Sequence, residues 1–147
     1  MHGSLPTNSF RVSHHLTSNT YCHRCGAAVE SDLHTLRGCP RAMSIWKDIC
    51  PTSPNNFYMQ DCQLWFKHHA TMEASTKFIV TCFEIWRNRN EHIFQNVHKD
   101  TWNSVNSIIS YHASMVYALG TTSKHHMVLE QRVFRKITSW VLMIKRY

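Results

Sequence analysis

Glycine and proline are scarce in this chain of 147 residues, with only four of each. Turn-rich β folds use both residues often, so their scarcity favours helices. The N-terminus has no apolar stretch of signal-peptide length, and no window approaches a membrane span. We therefore expect an intracellular protein, nuclear or cytoplasmic, with no membrane partner and a reducing environment for its six cysteines.

Acidic residues are also few, since nine Asp and Glu stand against 16 Lys and Arg and give a formal net charge of +7. This excess is compatible with a nucleic-acid partner but does not require one. Two-metal phosphoryl chemistry needs several convergent carboxylates, whereas these acids are scattered. We expect no catalytic site and no small-molecule substrate. The paired histidines are expected at the surface: His14–His15, His68–His69 and His125–His126.

Hydrophobic residues make up 43% of the chain, which is enough apolar surface for a folded core. The clearest break is the run Cys50-Pro-Thr-Ser-Pro-Asn-Asn-Phe. It predicts a small cysteine- and histidine-rich module over residues 1–50, a linker over 51–60 and a helical segment over 61–147. The expected fold class is mainly α, with short helices in the module and three to four amphipathic helices after it.

Apolar spacing and capping residues predict the individual helices. A short helix is expected from Leu5 to about Thr17, and another from Ser31 as N-cap to Arg37, with Gly38 at its C′ position. Pro40 suits the first turn of a third. Its apolar stripe is Ala42, Ile45, Trp46 and Ile49.

The segment after the linker is expected to be helical throughout. It has a short helix around Leu64–Phe66, a long one over about 74–96, one that ends near Gly120 and a last one over about 133–144. The stripes are interpreted as core, Trp86 and Trp102 included: Phe78, Cys82, Trp86, Ile93 and Val97, then Val105, Ile108, Ile109, His112, Val116 and Leu119, then Val133, Phe134, Ile137, Val141 and Ile144.

Four residues have the types and spacing of a zinc site: Cys22, Cys25, His34 and Cys39. Three thiolates and one imidazole are a usual ligand set for structural Zn²⁺, and four protein ligands leave no position for substrate or activated water. The sequence therefore predicts one structural zinc ion. Two thiols in a Cys-x-x-Cys turn converge readily, and Gly26 can take the positive φ of a tight reversal.

His34 and Cys39 need a further turn to meet. Five residues of ideal α-helix place them about 140° apart, at 100° per residue. We expect Gly38 to let the chain turn so that Cys39 swings back to the metal. Alternatives remain for this set: a Cys22–Cys25 disulfide, coincidence in a chain rich in cysteine and histidine, or a decayed site that no longer binds. Cys50, Cys62 and Cys82 are expected to be free thiols.

Three thiolates around Zn²⁺ carry a net charge of about −1. Arg24, Arg37 and Arg41 are close in sequence, can offset that charge, and are candidates for phosphate contacts. Simple solvated charge is an equal alternative for them. Arg11 is a further candidate for contact with nucleic acid.

The order of these features resembles the zinc-binding region of reverse transcriptases of plant non-LTR (LINE-type) retrotransposons. The residues that carry the resemblance are Leu5-Pro6-Thr7, Arg11, Cys22-x-x-Cys25-Gly26, Glu30-Ser31, His34-Thr35-Leu36, Cys39-Pro40, Ala42 and Trp46. Downstream, Ile85–Glu91 and Phe94 look like the helix that follows this region in that family. The eight residues between Cys25 and His34 exceed the middle gap of retroviral zinc knuckles.

The resemblance implies a zinc-dependent, knuckle-like module that contacts RNA or single-stranded DNA beside a polymerase domain. The sequence has no Tyr-x-Asp-Asp turn and no ribonuclease H carboxylate set, so we expect a non-enzymatic fragment of a larger reading frame. Its partners are expected to be RNA or DNA, or a reverse transcriptase domain. The competing expectations are a structural or protein-interaction module, and a retroelement remnant without its own activity.

Overall fold

The computed structural model describes residues 5–53, 56–70 and 75–120. The fold is mainly α, as the sequence predicts, and extended structure in these ranges is limited to an isolated antiparallel bridge between Tyr21 and Val29. The elements in chain order are α1 Asn8–Ser13, a π-helical turn His34–Gly38, α2 Pro40–Ile49, α3 Cys62–Ala70, α4 Ser75–Gln95 and α5 Thr101–Gly120.

Helix α1 is shorter than predicted. Thr7 caps its start, since its hydroxyl accepts a hydrogen bond from the Phe10 N–H. At the other end His15 has a φ of +57°, and the N–H of Leu16 donates to the carbonyl of Arg11. A left-handed residue cannot continue a right-handed helix. The helix therefore ends at Ser13 rather than near Thr17.

Helix α2 buries the predicted stripe of Ala42, Ile45, Trp46 and Ile49. Trp46 lies at the centre of an aromatic cluster, with its ring centroid 5.6 Å from that of Phe78 and 6.3 Å from that of Trp65. Its indole N–H donates to the carbonyl of Leu36 at 2.8 Å. One hydrophobic core thus contains residues from both sides of the predicted linker. The division at residues 51–60 stays a prediction.

Helix α4 is buried on several sides because α2, α3, α5 and the π-helical turn all pack against it. Phe78, Cys82 and Trp86 are buried as predicted, but Val97 lies beyond the end of the helix and is 45% exposed. In the described ranges, no helix has the length and apolar character needed to cross a membrane.

Helix α5 covers α4 with one face. Val105 and Ile108 are buried there, as predicted, whereas Trp102 is 72% exposed, and Ile109 and Val116 are also exposed. The prediction that these three residues are core is wrong, because α5 has no described neighbour on its outer side. The helix predicted over 133–144 and the pair His125–His126 lie outside the described residues.

His69 corrects another prediction. His14 and His15 are exposed as expected, but His69 is buried beside the rings of Phe57, Trp65 and Phe78. Burial lowers the pKa of His69 below its usual value, since a charged imidazole is costly among aromatic rings.

Candidate metal centre

The structure brings together the four side chains that the sequence predicts. One ligand atom from each of Cys22, Cys25, His34 and Cys39 lies within 4.8 Å of all the others. Cys22 and Cys39 are buried, and Cys25 and His34 are partly buried. Two short backbone turns hold the set: the reversal at residues 22–26 and the π-helical turn.

The first turn fixes two thiols on one side of the site. The N–H of Gly26 donates to the carbonyl of Cys22 at 2.7 Å, and Gly26 has the predicted positive φ, +68°. Backbone N–H groups of Cys25 and Arg24 donate to the sulfur of Cys22. Hydrogen bonds of this kind stabilise a thiolate and orient it for a metal.

The second turn places His34 and Cys39. The N–H of Cys39 donates to the carbonyl of His34 at 2.7 Å, which is the five-residue hydrogen bond of a π turn. This wider turn brings residues five apart closer to one face than an α-helix does. Ser31 caps the start as predicted, since its hydroxyl accepts from the N–H of His34 at 3.1 Å.

Gly38 plays a different part from the one predicted. Its φ is not positive, and Gly26 is the glycine in the described ranges that has a positive φ. The chain turns by inserting a π turn and by the extended conformation of Cys39, with φ −66° and ψ 133°. A Cβ at residue 38 would lie 3.6 Å from the Nδ1 of His34, which is ordinary van der Waals contact.

Two distances within the set are close to those expected around a tetrahedral zinc ion. Zn–S bonds of about 2.3 Å and Zn–N bonds of about 2.0–2.1 Å imply edges of about 3.8 Å between sulfurs and about 3.6 Å between sulfur and nitrogen. The Cys22 and Cys39 sulfurs are 4.0 Å apart, and the Cys25 sulfur is 3.4 Å from the Nε2 of His34. The donors are therefore spaced for one ion, with Nε2 as the histidine ligand.

The electrostatics of the buried thiols also suit a cation. Hydrogen bonding from Cys22 lowers the pKa of Cys39 to about 6, and the positive charge of Arg24 contributes in the same direction. The same hydrogen bond, together with burial, raises the pKa of Cys22 to about 12. The two thiols are thus coupled, and a metal ion that replaced the proton between them would hold both as thiolates.

Two of the four predicted phosphate-contacting arginines are buried. Arg24 donates to the carbonyl of Thr35 at 2.7 Å, and Arg37 donates to the carbonyls of Phe57 and Met59. Arg24 therefore ties the first turn of the metal site to the second. Arg37 ties the second turn to the segment before α3.

The other two predicted arginines reach the surface. Arg41 is exposed, and its Nε donates to the carbonyl of Arg24 at 3.1 Å. Arg11 is half-buried, and its guanidinium lies 5.9 Å from the centre of the Phe94 ring. Contact with nucleic acid stays a prediction for all four arginines.

All six cysteines are free thiols, so the structure has no disulfide between Cys22 and Cys25. Cys82 is buried, while Cys50 and Cys62 are half-buried. Among the described residues, the His, Cys, Asp and Glu side chains that lie close enough together to hold a metal ion are those of Cys22, Cys25, His34 and Cys39.

Sequence reasoning missed the residues that hold this site against the helices. Glu30 lies between the two turns, and both of its carboxylate oxygens accept hydrogen bonds from Arg89 of α4. The Glu30 carboxylate also accepts from the N–H of Asn8 at 2.7 Å. A Glu and an Arg so far apart in sequence carry no local signal of pairing, although both belong to the segments that resemble the retrotransposon family.

Comparison with known proteins gives one partial match. Over 48 residues the chain is 40% identical to an Arabidopsis thaliana protein that is provisionally named a ribonuclease H protein. The match covers 33% of this chain and 8% of that relative. No family model matches the chain. No solved structure matches it either.

These comparisons relate part of the chain to part of a plant protein that is named for ribonuclease H. The Cys and His cluster adds a set of donors that is compatible with a metal ion.

Proposed function

We propose that this chain is a non-catalytic zinc-binding module of a protein derived from a LINE-type plant retrotransposon. Its zinc ion is structural, and its surface binds single-stranded nucleic acid, either RNA or DNA. The observation that carries the proposal is the convergence of three thiols and one imidazole, whose ligand atoms all lie within 4.8 Å of one another.

The donor set supports a structural rather than a catalytic ion. Four protein ligands complete the usual zinc tetrahedron, so no position remains for water or substrate. When bound, zinc would cross-link the two turns and lower the free energy of the folded state. Three carboxylates of the described residues are engaged elsewhere: Asp61 caps α3, Asp100 caps α5 and Glu84 pairs with Arg87 and Lys99.

The retrotransposon origin is supported by the partial match and by the positions of the family-like residues. Those residues build the framework of the site rather than a separate surface. Besides the ligands Cys22 and Cys39, the buried ones are Leu5, Thr7, Glu30, Thr35, Leu36, Ala42, Trp46, Ile85, Trp86, Asn88 and Arg89.

Nucleic-acid binding is supported by the net charge of +7 and by exposed cations such as Arg41 on α2. Cations of this kind contact phosphates, and their contribution falls as salt rises. A nucleic-acid partner would place the protein in the nucleus or the cytoplasm.

Two measurements on the purified full chain test the proposal. Elemental analysis should find one zinc ion per chain, and fluorescence anisotropy should show binding to single-stranded RNA that weakens steeply with salt. Cys25→Ser should reduce the zinc content, whereas Cys50→Ser, a cysteine outside the site, should not. Absence of zinc from the wild-type protein would refute the structural part, and absence of binding at low salt would refute the nucleic-acid part.

A second candidate function is docking on the polymerase domain of the parent protein. It is favoured by the exposed apolar side chains of α5, among which Trp102 is 72% exposed and Ile109 and Val116 follow at intervals of seven residues. In this case Trp102→Ser should weaken association with a separately produced polymerase domain and leave RNA binding unchanged. Equal association of wild type and variant would argue against it.

A further inference from the structure

A small cleft lies beside the metal site, between α2, the end of α4 and the start of α5. Its volume is about 230 Å³, and we call it the α2–α4 cleft. Its walls include Arg41 of α2, Asn88 and His92 of α4, and His98 and Lys99 of the connection to α5. The cleft is smaller than the roughly 300–1,000 Å³ of pockets that enclose a drug-sized ligand. It therefore suits a single phosphate–sugar unit.

Positive charge dominates the α2–α4 cleft. Arg24 and Arg41 both line it. The pKa of His92 is lowered mainly by burial, then by the neighbouring His98, and the charges of Arg41 and Arg24 act in the same direction. The acidic side chain among the lining residues is Asp100, whose carboxylate is used to cap α5 through the backbone and side-chain N–H groups of Asn103. Hydrogen bonds from Asn103 do not neutralise that carboxylate, so the lining residues carry three cations, Arg24, Arg41 and Lys99, and one anion.

The cations of the cleft differ in whether their charged groups are free to bind a ligand. Lys99 is committed to Glu84, with its Nζ 2.7 Å from the carboxylate, and Arg24 is buried. Arg41 is exposed, and its hydrogen bond to a described residue uses Nε, which leaves its two terminal NH₂ groups for a ligand. The exposed ring of His98 lies nearby against His92, with centroids 4.4 Å apart, and its Nε2 already pairs with the Oδ1 of Asn96 at 3.2 Å. Arg41 is therefore the group placed to meet an anion.

Asn88 adds a second, independent feature. Its side chain is 91% buried, and its Nδ2 donates to the Ser104 hydroxyl at 2.8 Å, while its Oδ1 has no hydrogen-bond partner. An unpaired buried acceptor costs free energy, so a ligand that supplies a hydroxyl or N–H donor is favoured there. A bare inorganic anion supplies no such donor, whereas a ribose does.

We propose that the α2–α4 cleft binds one phosphate–ribose unit of single-stranded RNA, with the phosphate on Arg41 and the 2′-hydroxyl donating to Asn88. The 2′-hydroxyl is the group by which a protein distinguishes RNA from DNA at a given site. This inference rests on the proposed nucleic-acid function and adds its site and its preference for RNA.

The decisive variant is Arg41→Gln in the zinc-loaded full chain, with Lys47→Gln as its matched control. Both residues are exposed on α2 and both changes remove one positive charge, but Lys47 does not line the cleft. The measurement is the slope of log affinity for fluorescein-labelled single-stranded RNA against log salt. Loss of one phosphate contact should reduce the magnitude of that slope by about 0.7 in Arg41→Gln and leave it unchanged in Lys47→Gln.

Asn88→Ala tests the ribose contact through the ratio of affinities for RNA and DNA of the same sequence. The wild-type protein should prefer RNA, and the variant should lose the preference. Zinc content and the thermal unfolding midpoint establish that each variant is folded. If Asn88→Ala does not fold, the salt slope of Arg41→Gln alone tests whether the cleft binds phosphate.

The outcomes separate the two proposals. If the wild-type protein binds neither RNA nor DNA, the proposed function and the cleft both fail. If it binds but Arg41→Gln and Lys47→Gln have equal slopes, nucleic-acid binding stands and the cleft is overturned. Equal wild-type affinity for RNA and DNA would overturn the 2′-hydroxyl contact.

Discussion

Arg89 donates two hydrogen bonds to Glu30, from Nε to one carboxylate oxygen at 3.1 Å and from Nη2 to the other at 2.7 Å. Both side chains are completely buried, although they lie 59 residues apart. Bidentate pairing of this kind has well-defined geometry and is stronger than a neutral hydrogen bond. The pair joins the loop between the two halves of the metal site to the central helix α4.

Removal of one partner of this pair should destabilise the protein strongly. Glu30→Gln leaves the guanidinium of Arg89 buried without a counter-charge, and we expect a loss of about 3–5 kcal/mol in the free energy of unfolding. The control is Glu91→Gln, because Glu91 makes a partly exposed ion pair with Arg87 at 3.5 Å, where the expected loss is about 0.5 kcal/mol. Urea denaturation measures both, and equal losses would contradict a special role for Glu30.

Stability should fall on mild acidification because His69 is buried. Its folded-state pKa lies below the ordinary value of 6.5, so the unfolded chain binds a proton that the folded chain resists. The stabilisation is complete above pH 6.5 and is lost as the pH falls below it, by at most about 1.4 kcal/mol per pH unit.

His69→Phe should remove that part of the pH dependence, as measured by chemical denaturation at a series of pH values. His14→Gln serves as the control, since His14 is exposed. A wild-type slope that His69→Phe does not reduce would rule out His69 as its source. Protonation of the zinc ligands affects all three proteins equally and cancels in the comparison.

The two glycines of the metal site should respond differently to alanine. Gly26 has a φ of +68°, so Gly26→Ala forces an L-residue into the left-handed region and should cost about 1–2 kcal/mol. Gly38→Ala should cost less than that, because the new Cβ makes only ordinary contacts and φ is not positive. Thermal unfolding of the zinc-loaded variants gives the order, and a larger loss for Gly38→Ala would contradict the π-turn geometry.

Zinc removal should loosen the site more than the helices. We expect chelation to increase amide hydrogen exchange most over residues 20–39, because those residues depend on the ion for their cross-link. The amides of α4 should keep more protection, since α3 and α5 also cover that helix. Mass-spectrometric exchange on the full chain measures both regions, and equal deprotection would show that the site and the helices unfold together.

Arg37 should contribute to stability and not to RNA binding, in contrast to Arg41. Arg37→Gln removes donors to the carbonyls of Phe57 and Met59 and should cost about 1–3 kcal/mol in stability. Because Arg37 is buried, the salt dependence of RNA binding should not change. Anisotropy and denaturation on the same preparations test this, and a reduced salt slope for folded Arg37→Gln would instead place its guanidinium at the nucleic acid.

The amino-acid sequence by itself determined the metal-ligand candidates, the helical class and the buried stripe of α2. These are local properties, because ligand spacing, capping residues and apolar periodicity all act within a few turns of chain. The same local information failed at two residues: His69 was expected at the surface and is buried, and Trp102 was expected in the core and is exposed. Periodicity shows that a helix has an apolar side but not whether another element covers it.

Only the tertiary structure decided how the ligands meet and what supports them. The π turn that aligns His34 with Cys39 depends on a hydrogen-bond choice that residue type does not specify. The pairing of Glu30 with Arg89 depends on packing between segments 59 residues apart, where burial removes water as a competing partner. Tertiary packing also decided which arginines are accessible, since Arg24 and Arg37 are buried and Arg41 is at the surface.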